Sequence, residues 1–568
     1  MSGIDATRGD GTLPPDPIPA TSSDMLKPDQ PDQPDQPDQP DQPDQPDQPD
    51  QPDQPDQPDQ PDQPGQPDQP DQPGQPDQPG QPDQPGQPGQ PDQPGQAGQV
   101  GAVAGSRTPV GATHGTGTPP VDALRAAETG TTVHDEPAFD GDHPPSADIV
   151  SDCVHCGFCL TTCPTYVLWG EEMDSPRGRI HLIGQGVSGE PLTDSMVTHF
   201  DRCLGCMACV TACPSGVRYD RLIEDTRAQV ERRHSRSARE RAVRAAIFAL
   251  FPYPRRLRLL RGPLRAYQRS GLQKLVARTG LLDRLAPTLA TLESLAPRLR
   301  GVPRPPARVR ARGERRAVVG MLTGCVQGAF FPDVNSATVR VLAAEGCDVL
   351  IPPSQGCCGA LSVHNGRRAE AQRFARRLID TFARTGMDYF VVNAAGCGSS
   401  LKEYDELLAD DPAYARRAAD FTAKVRDLSE LLAELGPVAP RHPLPMTVAY
   451  HDACHLGHAQ GIRAQPRALL RGIPGLELRP IADPEICCGS AGVWNVLNPG
   501  PAAELGDRKA KAVLATGAEL LVTANPGCLM QVAAAVHRRG GTIALAHTAH
   551  VLDASIRGLP PATLTSAR

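Results

Sequence analysis

The sequence predicts an α+β multidomain chain: a disordered acidic tail, then a helical cysteine-rich domain, then two copies of one α/β domain. Three observations predict it. A Pro-Asp-Gln triplet recurs from Pro28 to about Gln96. All 17 cysteines lie beyond residue 150, eight of them in two matched runs between Cys153 and Cys213. Beyond these, a Cys…Cys-Cys-Gly…Cys pattern occurs twice at an offset of 129 to 131 residues, the mark of an internal duplication.

Charge divides the chain near the first of these boundaries. Residues 1–150 hold 28 Asp and Glu against 4 Lys and Arg, so the overall formal charge of −9 hides a surplus of basic residues beyond them. Proline at every third position favours an extended backbone, and without apolar side chains nothing offsets the entropy of ordering it. Residues 1–145 are therefore expected to be a solvated acidic tail and linker, with a docking arm for a basic partner as the sharper alternative. Collagen is excluded because the early triplets lack glycine.

The next domain, expected over residues 146–230, holds the runs Cys153-Val-His-Cys156-Gly-Phe-Cys159-Leu-Thr-Thr-Cys163-Pro and Cys203-Leu-Gly-Cys206-Met-Ala-Cys209-Val-Thr-Ala-Cys213-Pro. Both read C-x2-C-x2-C-x3-C-P, the spacing with which bacterial ferredoxins hold [4Fe-4S] clusters, where the fourth cysteine of each run serves the other cluster. Two clusters are expected: one on Cys153, Cys156, Cys159 and Cys213, the other on Cys203, Cys206, Cys209 and Cys163. Zinc is the competing reading of paired C-x2-C units, but it leaves the third cysteine and the Cys-Pro ending without a role. Between the runs, Ser175-Pro176 opens a helix that carries Arg177 and Arg179 in its first turn. These arginines either lower the cost of negative charge on reduced clusters or serve packing and capping. The 39 residues between Cys163 and Cys203 favour a helical ferredoxin-type domain over a small β-rich one.

Cysteines spaced this tightly do not make a conventional disulfide framework, and the start lacks a signal peptide's apolar core, so a reducing cytoplasm is the expected compartment. The longest apolar run, near Ala245 to Phe251, is too short to cross a bilayer. Residues 231–316 carry more than twenty Arg and Lys among leucines at helical spacing, such as Leu257, Leu260 and Leu264. Such a connector either bridges domains with solvated faces or lies on anionic lipid or an acidic protein. No nucleic-acid motif accompanies the charge, so no nucleic-acid partner is expected.

The duplicated units span 317–440 and 441–556, with a short tail from 557 to 568. In the first, Ala317-Val-Val-Gly-Met-Leu, Asp348-Val-Leu-Ile and Tyr389-Phe-Val-Val read as buried strands, and Arg367 to Thr385 as an amphipathic helix. In the second, Thr447-Val-Ala-Tyr and Glu519-Leu-Leu-Val-Thr read as strands, and Pro501 to Thr516 as a helix. Alternation implies a parallel α/β layer, with cysteines at the carboxyl ends of strands, where such sheets place their sites. Cys325, Cys357, Cys358 and Cys397 in one copy, and Cys454, Cys487, Cys488 and Cys528 in the other, are enough for one metal or cluster each. They are otherwise buried thiols or a redox pair. Cys347 fits neither quartet and is expected in the core; His451 and His455, beside Cys454, are either ligands, proton relays or packing residues.

Together these features resemble the iron-sulfur subunit of bacterial glycolate oxidase over about residues 146 to 556. The carriers are the first cysteine run, Ser-Pro-Arg-Gly-Arg-Ile at 175–180, Asp-Arg-Cys-Leu-Gly-Cys at 201–206, Cys-Pro-Ser-Gly-Val-Arg-Tyr at 213–219, Gly-Cys-Cys-Gly-Ala at 356–360 and Cys-Cys-Gly-Ser-Ala-Gly at 487–492. The resemblance implies an electron-transfer subunit serving a separate FAD-binding glycolate oxidase subunit, which oxidises a 2-hydroxy acid, and passing electrons to a quinone-linked acceptor. Without a spanning apolar run, any membrane contact is expected to be peripheral or through a partner, at the inner face of the cell membrane. The chain itself shows no G-x-G-x-x-G after a strand, so FAD is expected on the partner alone. It is similar as well to heterodisulfide reductase subunits and lactate-utilisation proteins, which gives the alternative of a heterodisulfide-reductase-like or lactate-utilisation-type iron-sulfur oxidoreductase. In the fullest form of the Cys-Cys-Gly domain a fifth cysteine precedes the last by three residues; here Ala394 and Asn525 stand there.

Overall fold

Residues 136–145, expected in the tail, are fixed to the cysteine-rich domain. Pro137 bridges Pro191, the Ala138 N–H donates to the Glu190 carbonyl at 2.9 Å, and Gln229 Nε2 donates to Asp140 Oδ1 at 3.0 Å. Phe139 is the apolar anchor: it lies where a Cβ on Gly186 would come within 2.6 Å of its ring. The computed structural model describes residues 136–566 apart from 280–281, 283–286 and 300. The Pro-Asp-Gln repeat lies outside the described residues.

The cysteine-rich domain is helical. Ser175 Oγ accepts from the Gly178 N–H at 3.0 Å and Pro176 fills the first turn, so the helix Pro176–Val187 starts where capping chemistry predicts. It packs with Asp194–Arg202 and Tyr219–Arg233 around Ile183, Phe200, Leu222 and Ile223. The connector forms the helices Ala238–Leu250, Pro254–Arg269, Leu272–Thr279 and Pro287–Leu295.

The last two domains repeat one topology. In the first copy, β1 (Arg308–Val309), β2 (Ala317–Met321), β3 (Cys347–Leu350), β4 (Tyr389–Val392) and β5 (Val425–Asp427) form a sheet in the order β1-β3-β2-β4-β5, parallel except for β1. In the second, β6 (Met446–Tyr450), β7 (Leu476–Arg479), β8 (Leu520–Thr523) and β9 (Ala544–His547) take the order β7-β6-β8-β9, all parallel. Removing β1 leaves the two orders identical. One apolar core is continuous through both sheets, joining Val319, Val349 and Leu342 to Val448, Leu470 and Leu552. Cys347 is fully buried in it. Among the described residues no helix is long and apolar enough to cross a membrane.

Candidate metal centres

The two cysteine runs fold into matching loops. The third and fifth positions of each are left-handed: His155 (φ 52°) and Gly157 (φ 86°) in the first, Gly205 (φ 64°) and Met207 (φ 62°) in the second. Glycine occupies the fifth position in one loop and the third in the other, so each loop also holds a non-glycine residue there at a cost of about 1 kcal/mol. Cys163 and Cys213, each followed by proline, share one backbone conformation (φ −82°, ψ 116°).

Cys153, Cys156, Cys159 and Cys213 line one cavity of ≈ 30 Å³, joined there by Cys209. Cys163 is absent from that wall. It is buried, its Sγ 3.2 Å from Thr165 Oγ1, and it acts electrostatically on Cys206 and Cys209. The first group is near the surface, with Cys156 exposed, whereas Cys163, Cys203, Cys206 and Cys209 are buried. All 17 cysteines are free thiols, a donor set that suits iron-sulfur clusters or zinc.

Arg179 has a packing role and also lies within electrostatic reach of the Cys203 thiol. Its side chain is buried, and it donates to His199 O at 2.7 Å, Asp174 O at 2.5 Å, Thr165 Oγ1 at 3.1 Å and Asp174 Oδ1 at 3.2 Å. Burial opposes ionisation of the Cys203 thiol, but Arg179 and Arg227 hold it below its ordinary value, and the Tyr219 hydroxyl donates to it at 3.6 Å. Cys206 and Cys209 are pushed well up by burial. Arg177 props the first loop, donating to the His155 carbonyl at 3.0 Å while paired with Glu172 at 2.7 Å.

The buried group faces both duplicated domains. Leu204 and Cys206 pack with Cys487, Trp494 and Leu505 of the second copy, and Thr211 Oγ1 lies 2.7 Å from His458 Nδ1. On the other side Arg227 donates to the His364 carbonyl at 2.9 Å, and Glu224 pairs with His364 Nδ1 at 2.7 Å.

Each Cys-Cys-Gly copy gathers its own four thiols. Cys325 and Cys357 are 3.7 Å apart, as are Cys454 and Cys487. Cys358 contacts Cys357 and Cys397, and Cys488 contacts Cys487 and Cys528. Hydrogen bonding from Cys357 and Cys397 pushes the Cys358 thiol well down. The glycine after each pair is obligatory: Gly359 (φ 88°) and Gly489 (φ 84°) are left-handed, and a Cβ on Gly489 would sit 2.7 Å from the Ala502 carbonyl oxygen. All eight thiols, with Cys203, line a single cavity of ≈ 350 Å³ between the copies.

The copies differ in histidine. His451 brings a ring nitrogen within 4.8 Å of the Cys488 and Cys528 sulfurs, and burial pushes His451 and His455 down to about 3, leaving them neutral. At the duplication offset, His451, His455 and His458 correspond to Leu322, Val326 and Ala329. Asn525, at the position of the absent fifth cysteine, donates through Nδ2 to the Cys528 sulfur at 3.5 Å. His364, Glu224, Arg227 and Trp494 were not singled out from the sequence; comparing the two copies position by position would have flagged the three histidines.

Residues 149–217 match the 4Fe-4S dicluster domain family, 239–296 the linker region of the glycolate oxidase iron-sulfur subunit, and 319–402 and 448–533 the cysteine-rich domain family. A probable glycolate oxidase iron-sulfur subunit of Bacillus subtilis (strain 168) is 38% identical over 411 residues, which cover 71% of this chain and 93% of that protein. The glycolate oxidase iron-sulfur subunit of Escherichia coli (strain K12) is 36% identical over 68% of this chain and 90% of its own length. Lactate utilization protein A of Exiguobacterium sp. (strain ATCC BAA-1283 / AT1b) is 32% identical over 42% of this chain and 98% of its own length.

Proposed function

The chain belongs to the glycolate oxidase iron-sulfur subunit family, and we propose that it is the electron-transfer subunit of a flavin-dependent 2-hydroxy-acid oxidoreductase, with glycolate the first substrate to test. Its FAD would be on a partner chain and its acceptor would be quinone-linked, at the inner face of the cell membrane.

The observation that carries this reading is the serial order of the thiol groups: an exposed group at Cys156, a buried group at Cys203 and Cys206, then the two quartets around the shared cavity. Clusters bound at the first two groups supply one-electron chemistry; Cys153, Cys156, Cys159 and Cys213 would hold one, and Cys203, Cys206, Cys209 and Cys163 the other. The protein's own contribution is to keep those thiols convergent, to bury the inner group, and to set guanidinium charge beside Cys203. The four-thiol quartets of the Cys-Cys-Gly copies are chemically fit for a further cluster or metal.

A second reading has one observation behind it. Eight thiols around one cavity also suit a heterodisulfide-reductase-like or lactate-utilisation-type iron-sulfur oxidoreductase, the former with a thiol or disulfide substrate. Anaerobic pull-down from the native cells, then glycolate or D-lactate addition watched by low-temperature EPR, separates the two. Cluster reduction with a co-purified flavoprotein supports electron transfer; turnover of a disulfide by the chain alone, with iron well above the ~8 atoms of two cubanes, supports the second.

A further inference from the structure

The connector helix Pro254–Arg269 borders another cavity, of ≈ 380 Å³. Arg255, Arg256, Arg258, Arg304 and Arg377 stand in its wall, with no carboxylate. Before and on the preceding helix, Arg236 and Arg244 are paired with Asp201, Glu240 and Glu231. The five arginines of the cavity make no salt bridge among the described residues. Arg258 donates to Pro254 O at 2.9 Å, Arg377 to Ser354 O at 3.1 Å, and Arg256 to Ala249 O, while the Arg256 guanidinium covers the Tyr253 ring at 4.2 Å. Carbonyls and a ring orient these groups without neutralising them. Burial, then the charges of Arg304 and Arg255, pushes Arg258 below its ordinary value.

Beside this charge the helix exposes apolar surface. Leu259 is 78% and Leu260 43% exposed. They follow Arg255 and Arg256 by four residues and so share their face. Leu272 and Leu275 on the next helix are also exposed, and residues 254–279 contain eight Arg and Lys and no Asp or Glu. Unneutralised charge and exposed apolar surface therefore lie side by side on one helix. A bilayer with anionic headgroups accommodates both.

We infer that this face docks on an anionic lipid bilayer, with headgroup phosphate among the five arginines and Leu259 and Leu260 entering the acyl boundary. Cys357 forms part of the same wall, so docking would bring the first Cys-Cys-Gly quartet toward the lipid, where a lipid-soluble acceptor is found. That purpose rests on the electron-transfer reading; the binding itself does not, because it is measured without turnover.

The test is flotation of the full chain with vesicles of phosphatidylcholine alone or mixed with phosphatidylglycerol. The expected result is capture by the mixed vesicles only, reversed by high salt. Each Arg→Gln change at 255, 256 or 304 should weaken capture about fivefold, the equivalent of about 1 kcal/mol per residue. Leu259→Ser with Leu260→Ser should weaken it independently, and Arg539→Gln, an exposed arginine of the second copy, should leave it unchanged. Unaltered thermal unfolding identifies variants that fold. Equal capture by neutral vesicles, or none by either, overturns the inference. So does arginine-dependent binding of inorganic phosphate without vesicle capture, which makes the cavity a small-phosphate site. Release of the co-purified flavoprotein by the arginine variants, again without vesicle capture, assigns the face to an acidic protein and overturns it as well.

Discussion

Glu224 Oε1 and His364 Nδ1 stand 2.7 Å apart, tying the helix Tyr219–Arg233 of the cysteine-rich domain to the turn after Cys358-Gly359. Burial alone would strip the ring of its proton, but the Glu224 hydrogen bond and charge outweigh it and raise the His364 value above 6.5. A raised histidine contributes stability that is fully present below its ordinary value and lost as pH rises through the folded one. Glu403 nearby is raised by burial and by Glu224 to about 8, and a raised carboxyl has the same sign, losing its contribution between its ordinary 4.5 and about 8. Thermal unfolding midpoints should therefore fall as pH rises from about 4.5 to about 8. Glu224→Gln should flatten that slope; a variant with the wild-type profile would remove His364 as its cause.

Arg179 should be the least replaceable residue of the cysteine-rich domain apart from the thiols. Three of its four donations hold the Thr165 and Asp174 segment against the Pro176–Val187 helix, and the fourth goes to the His199 carbonyl. Arg179→Ala leaves Asp174, itself fully buried, with only His199 at 2.9 Å and Arg202 at 2.8 Å. A loss of about 3–5 kcal/mol is expected in anaerobic denaturant unfolding, together with reduced iron per chain. Arg179→Lys keeps the charge but not the planar fork, and should recover part of the stability.

Much of this arrangement is readable before any fold is known, because ligand spacing and strand hydrophobicity are local. The thiol groups follow from C-x2-C spacing and the duplication, and the central strands β2, β4, β6 and β8 are continuous apolar runs because both faces are covered. The edge strands β5 (Val-Arg-Asp) and β7 (Leu-Glu-Leu-Arg) escape notice: three or four residues of mixed polarity have no decisive period. The Glu224–His364 pair spans 140 residues and has no local signature. Phe139 stands as a lone aromatic after a polar linker, and only contacts distant in sequence, its packing against Gly186 and the Pro137–Pro191 bridge, show that the fold begins before it.

The contact between the duplicated copies should behave as a modest stabiliser. Arg340 forks onto Asp553, with Nε to Oδ1 at 2.8 Å and Nη2 to Oδ2 at 2.7 Å. Asp553 is buried while Arg340 is 38% exposed, so solvent discounts the pair to about 1–2 kcal/mol. A double-mutant cycle with Arg340→Met and Asp553→Asn should return a coupling of that size. Additive effects would mean that this ion pair contributes nothing to joining the copies.

The sharpest division of roles is between Cys156 and Cys206. Cys156 is exposed on the first loop, between Val154 and Phe158, which are 69% and 68% exposed. Cys206 is buried against Cys487 and Trp494. If electrons enter at the first loop and leave through the buried group, Cys156→Ser and Cys206→Ser should each abolish dye reduction by the purified complex and leave flavin reduction by the 2-hydroxy acid intact. Each variant should also lose about four of the ~8 iron atoms expected for two cubanes, because the other thiol group is undisturbed. Loss of flavin reduction with either variant would move these cysteines into the assembly of the flavoprotein site and count against a relay. Dye reduction surviving in Cys156→Ser but not in Cys206→Ser would instead show that electrons enter beyond the exposed loop, at the buried group beside the second copy.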